Sequence, residues 1–212
     1  FSAATAVRRD GSLISWGRND DDGQVSDTPT GTGFVVVDVG LGPNLAIRDN
    51  GSIASWGSDS SGQVSDTPAG YDFVAVAAGG DHSMALSADG GIYSWGRDDY
   101  GQVSETPAGS GFKAIAANRD YSIAVCADGS VVSWGADYRG QVSGTPTGFG
   151  CAGVAAASEH GTAIFPGLHY LTVNSGTGSG YYVARTNPAV CADAHPLGLV
   201  FSEWVGDTGC VA

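Results

Sequence analysis

Positive charge is scarce in this chain. It has 9 Lys and Arg against 22 Asp and Glu over 212 residues, a formal net charge of −13. A field of that sign repels phosphate backbones, so nucleic acid is not expected as a partner. Long apolar runs are missing as well. None approaches the roughly 18 to 20 residues that a membrane-spanning helix needs. The four cysteines, Cys126, Cys151, Cys191 and Cys210, form no C-x-x-C, so a zinc knuckle or thioredoxin-type site has no support. G-x-S-x-G, H-E-x-x-H, the Walker loop and the dinucleotide fingerprint are all lacking. With no nucleophile and base to pair, the expectation is a non-catalytic protein that needs no cofactor. The first residue is Phe1 rather than Met, which suggests a processed or partial sequence. Gly-rich loops and an even cysteine count suggest an oxidising, extracytoplasmic setting.

What the chain does have is repetition. GQVSDTP at 23–29 returns as GQVSDTP at 62–68, GQVSETP at 101–107 and GQVSGTP at 140–146. Trp16, Trp56, Trp95 and Trp134 recur at the same period of 40, 39 and 39 residues, each in a Ser-Trp-Gly. The first interval is longer because the loop 18–22 holds one extra residue. Phe34, Phe73 and Phe112 keep the same spacing, and Cys151 is next in that series. A fixed period of about 40 residues is the mark of a repeat architecture.

Each unit reads as four short strands. Phe73 to Ala78 alternates and is rich in Val and Ala, Ser83 to Leu86 follows, and Ile92 to Trp95 is the third strand. Asp10-Gly11, Asn50-Gly51, Asp89-Gly90 and Asp128-Gly129 join the second and third as two-residue hairpins. GQVS reads as the fourth, outer strand, ended by Thr-Pro because Pro cannot donate to a sheet ladder. Small residues on the first strand suit crowding around an axis, and the tryptophans fill the wider space between units. These are features of an all-β propeller built from four-stranded blades of about 40 residues, here four Trp-Gly repeats and a half repeat. The chain starts within a unit, at Thr5 to Val7, and leaves within one, at Cys151 to Ile164. Such partial units offer edges through which chains could associate.

The pattern His82-Ser83-Met84-Ala85-Leu86, Asp89-Gly90, Trp95-Gly96, Gly101-Gln102-Val103 resembles the regulator of chromosome condensation repeat. The resemblance covers residues 1–165 and implies a β-propeller. It also brings in the range of that family, from guanine-nucleotide exchange factors to bacterial secreted proteins such as the propeller-type β-lactamase inhibitor, and the short Gly- and Ala-rich repeats of this chain are more similar to the bacterial branch. After Pro166-Gly167 the composition changes. Leu171-Thr-Val173, Gly176-Thr-Gly178-Ser-Gly180, Ala192-Asp193, Phe201, Trp204 and Gly206-Asp207 resemble the internalin-type bacterial surface repeat, a small β-grasp-like module. That resemblance implies a second domain over 166–212 and a bacterial secreted or cell-surface protein. Within it Cys191 and Cys210 are the expected disulfide. Cys126 and Cys151, in neighbouring repeat strands, form the other.

The candidate site is the set of acidic loops that follow each Trp-Gly: Asp20, Asp21, Asp22, Asp59, Asp98, Asp99 and Asp137, with Tyr100 and Tyr138 beside them. All fall on one rim of the propeller. Carboxylates suit Ca²⁺, but the D-x-D-x-D-G spacing is lacking and Asp is a common turn residue, so solvated turns rather than a metal are expected. Tyr beside Asp suits a rim that recognises a protein or a glycan. His82 and His160 read as strand-end hydrogen bonders, at the position held by Asn44 and Tyr121 in other copies. Asn50-Gly-Ser52 is a glycosylation sequon read as turn chemistry. The expected function is non-covalent binding or adhesion at a bacterial surface. The alternatives are a structural subunit of an extracellular assembly and an inhibitor of an extracellular enzyme.

Overall fold

A computed structural model describes residues 3–17, 22–165, 168–171 and 180–183. The chain divides into two units, Phe1–Ile164 and Phe165–Ala212. In the first, β1 (Ala3–Val7) pairs with β2 (Leu13–Gly17). Three three-stranded antiparallel sheets follow: β3 (Phe34–Val39), β4 (Pro43–Arg48) and β5 (Ile53–Gly57); β6 (Phe73–Ala78), β7 (His82–Ser87) and β8 (Ile92–Gly96); β9 (Phe112–Asn118), β10 (Tyr121–Cys126) and β11 (Val131–Gly135). A final pair, β12 (Gly153–Ala156) and β13 (Gly161–Ile164), ends the unit. In the second unit β14 (Leu168–Leu171) pairs with β15 (Gly180–Val183). The β-grasp-like reading of that segment, and the Cys191–Cys210 pair, lie outside the described residues.

Each of the three complete blades therefore has three strands, not four. GQVS is a helical turn, in which Asp66 N–H donates to the Gly62 carbonyl at 3.0 Å and Glu105 N–H to the Gly101 carbonyl at 3.0 Å. The reason lies upstream, where Asp59 Oδ1 accepts the N–H groups of Val64 and Ser65, both at 2.9 Å. Asp98 holds Val103 and Ser104, and Asp137 holds Val142 and Ser143, in the same way. A carboxylate that satisfies otherwise orphaned N–H groups favours a turn of helix over an extended strand. Thr106 then ties the turn to its own blade, its Oγ1 donating to Ser94 Oγ at 2.7 Å.

The hairpins between second and third strands have three-residue loops rather than two. Arg8 N–H donates to the Ser12 carbonyl at 2.8 Å and Gly11 N–H to the Arg8 carbonyl at 2.9 Å, with Gly11 at φ +77°. This is a turn followed by a left-handed glycine. Asp10 and Asn50 accept from Ser12 and Ser52, so the Asn50 sequon carries the same turn as its Asp counterparts. Glycine is needed here for a second reason. A β-carbon at Gly90 would lie 2.5 Å from Gly111 N, in the chain entering the next blade. The two backbones touch because Phe112 N–H donates to the Gly90 carbonyl at 3.0 Å, as Phe34 does to Gly11 and Phe73 to Gly51.

The core lies between blades. Leu13, Phe34, Ala46 and Trp56 pack across the first seam, Leu45, Phe73 and Trp95 across the second, and Ala77, Met84 and Trp134 across the third. Two sequence expectations fail against this frame. Register pairs Pro43 with Gly57, as His82 pairs with Gly96 and Tyr121 with Gly135, so Pro43 and not Asn44 holds the histidine position. Asn44 stands opposite Trp56, where Ser83 and Ser122 stand in the next blades. Cys126 and Cys151 are free thiols, not a disulfide. Cys151 takes the buried phenylalanine position of its blade, and its thiol turns to the Gly153 carbonyl at 3.3 Å.

Candidate functional site

Two groups of side chains recur at the blade ends, one buried and one exposed. The buried group is a latch between consecutive blades. Trp56 Nε1–H donates to the Gln24 carbonyl at 3.0 Å, Trp95 to Gln63 at 2.9 Å and Trp134 to Gln102 at 3.1 Å, each reaching 32 residues back along the chain. The residue opposite each tryptophan helps: Asn44 Nδ2 donates to the Gln24 carbonyl and Ser83 Oγ to the Gln63 carbonyl, both at 3.0 Å. Gln63 and Gln102 are fully buried and use Oε1 to accept from the Ser61 and Tyr100 amides at 2.8 Å. Sequence reasoning misses these glutamines as interface residues, although all four repeats keep Gln in the same place and that recurrence is the signal that could have found them.

His82 belongs to this buried group. It is fully enclosed, and its Nε2 lies 2.9 Å from Ser122 Oγ of the next blade. Burial pushes its pKa down to about 4, so the ring is neutral at physiological pH. A His–Ser pair invites a catalytic reading, but neither side chain meets solvent and substrate has no access to the hydroxyl.

The exposed group is the predicted rim. Asp59, Asp98 and Asp137 carry the turns described above, and the serine amide is the main cause that holds each carboxyl below its usual range. Their first job is structural. Asp99 pairs with Arg97 at 2.6 Å, and Arg97 also reaches Asp81 at 3.3 Å. Tyr100 and Tyr138, from adjacent blades, meet edge to face with centroids 5.3 Å apart, and the Arg97 guanidinium lies 5.8 Å over Tyr100. Tyr138 stays 63% exposed and Tyr100 39%. The Tyr138 hydroxyl is pushed up to about 12, first by its hydrogen bond with Tyr100 and further by Asp120. Arg119, beside Asp120, sits at φ +37°. Asp22 lies against Gln24, whose Nε2 donates to it at 3.4 Å. Asp20 and Asp21 lie outside the described residues. The structure thus brings Asp99, Tyr100 and Tyr138 together. Among the described residues no three His, Cys, Asp or Glu side chains converge to hold a metal.

Comparison with known proteins agrees with this frame. The family pattern of the Regulator of chromosome condensation (RCC1) repeat matches residues 73–102 and 112–141. No curated protein sequence matches the chain. Among solved structures, the entire ectodomain of the receptor kinase CR4 from the moss Physcomitrella patens is similar at 21% identity and a TM-score of 0.61, over 77% of this chain and 47% of that one. Prp20p from Saccharomyces cerevisiae, studied with its binding properties to Gsp1p and histones, is similar at 21% identity and a TM-score of 0.58, over 76% and 48%. Yeast RCC1 (Prp20) in a complex with Kap60 gives 22% and 0.57, over 76% and 46%. The chain thus spans about half the length of these structures, and at these identities the likeness shows the propeller-type fold.

Proposed function

We propose that this chain is a non-catalytic binding module that recognises another protein through the rim around Tyr100 and Tyr138. The observation that carries it is the pair itself: two tyrosines from successive blades, in contact and yet exposed, with Arg97 stacked at their side. Tyrosine offers a large amphipathic contact area at little entropic cost, which is why it concentrates at protein interfaces. Over these loops the carboxylates Asp81, Asp98, Asp99, Asp120 and Asp137 outnumber Arg97, Arg119 and Arg139 and give the rim a negative bias, suited to a basic partner face. The RCC1-type fold supports the reading, since Prp20p is described with its binding to Gsp1p and histones and with Kap60. A secreted or bacterial cell-surface setting, and adhesion as the outcome, are part of the proposal through the tail's resemblance. So is the absence of a catalytic role or cofactor.

The test is affinity capture with wild type and the Tyr100→Ala, Tyr138→Ala double variant as paired baits. The expected result is a basic protein retained by wild type and lost from the variant at unchanged melting temperature. Identical retention by both baits overturns the rim reading.

A further inference from the structure

The fourth seam differs from the three before it. Strands β4, β7 and β10 are each flanked on both sides, by a first strand and by a tryptophan-bearing third strand. Among the described residues β13 pairs only with β12. The residue that ends β13 records the difference. Ile47, Leu86 and Val125, its counterparts in the three preceding blades, are 2%, 3% and 0% exposed, whereas Ile164 is 63% exposed. Along β13, at Gly161 to Ala163, lies a cavity of about 170 Å³, lined also by Ile123, Ser133, Gln141, Pro146 and Val154. Gln141 is the fourth copy of the glutamine whose carbonyl receives a tryptophan N–H in the other seams. Residues 165–212 contain one tryptophan, Trp204, and no Trp-Gly pair.

We propose that the β13 edge and the cavity over Gln141 form a strand-accepting site, filled by an extended segment of another polypeptide with the pattern aliphatic-x-Ser-Trp-Gly. The molecule displays the bound state three times. The β10–β11 register sets Ser122 opposite Trp134 and Val125 opposite Val131. Moved on by one repeat, it sets Gly161 opposite the incoming tryptophan and Ile164 opposite the incoming aliphatic residue. The indole then enters the cavity with its N–H directed at Gln141, and the main chain completes the ladder along β13. This is strand addition with a side-chain anchor: the backbone bonds supply affinity and the tryptophan pocket supplies selectivity. The site is separate from the Tyr100–Tyr138 rim and stands or falls independently of it.

The probe is a fluorophore-labelled synthetic peptide with the sequence of residues 92–107, IYSWGRDDYGQVSETP, titrated with the full chain and followed by anisotropy. Saturable binding is expected, weakened about tenfold or more when the peptide's Trp is replaced by Ala. An Ile164→Asp protein should lose binding to a similar extent while keeping its melting temperature, because the side chain is exposed. A Tyr100→Ala, Tyr138→Ala protein should bind the peptide as wild type does. No saturable binding, equal binding of the Ala peptide, or full binding by Ile164→Asp each overturns the proposal.

Discussion

Trp16 and Trp95 occupy the same place in the repeat and live in different surroundings. Trp95 is 5% exposed and gives its N–H to Gln63, 32 residues earlier. Trp16 is 53% exposed. The local sequence of the two hairpins is nearly the same. A blade therefore does not bury its own tryptophan; the preceding blade does. The unit of stability is the seam between blades, as in other repeat proteins where nearest-neighbour interfaces carry the fold.

The largest test of that contrast is truncation. Trp95→Ala should cost about 3–5 kcal/mol of unfolding free energy. Trp16→Ala should stay within roughly 0.5 kcal/mol, the range of ordinary surface changes. Both are read from denaturant midpoints at equal slope, and similar losses would erase the distinction. Next in size is a pH effect confined to the seams. His82 is neutral and buried, with its folded pKa near 4 against 6.5 for the free side chain. The unfolded chain then binds more protons, so stability is full above pH 6.5 and falls by about 3 kcal/mol as pH drops from 6.5 towards 4. His82→Gln should flatten the slope in that window, and an unchanged slope would point to another group. The latch itself is sharpened by Trp95→Phe, which keeps most of the ring but removes the N–H from the Gln63 carbonyl. A loss of about 1–3 kcal/mol is expected where Trp16→Phe shows almost none. Smaller again, Asp98→Ala frees the Val103 and Ser104 amides and should lower the melting temperature by about 2–4 °C.

Much of the fold is legible in the sequence. Recurrent Trp-Gly spacing, alternating Val and Ala, and the Asp-Gly turns point to the all-β repeat, three of the four strands read in each blade and the role of tryptophan between blades. The misreadings share a cause, which is that they turn on contacts the local string does not contain. GQVS has good strand character on its own, and it is a turn because Asp59, Asp98 or Asp137 reaches five and six residues forward to hold it. The sequence carries that reach as an acid three residues before each of these glycines, but such an acid reads as loop composition. Asn44 aligns with His82 by polarity rather than by count, and the register corrects it by one residue. Cys126 and Cys151 resemble partners because they fall in successive repeats, but Cys151 precedes β12 in the phenylalanine position, where its thiol is buried against the Gly153 carbonyl. Of the candidate site, sequence locates the rim and its tyrosines. It does not separate acids that brace a turn, such as Asp98, from Asp99 beside them, which faces Arg97.

The latch has a consequence for how such a chain comes into being. In the three described seams, a unit offers the unit after it an acceptor, the glutamine carbonyl, and gives the unit before it a donor, the tryptophan N–H. Such a head-to-tail joint needs no second, matching change when a unit is copied. A tandem duplication of the coding segment inserts a donor and an acceptor together, in register, and the new seam works at once. Drift in a unit that carries both spoils two joints, because each unit meets a neighbour on both sides. The near-identity of GQVS in four successive copies is what that arrangement would preserve.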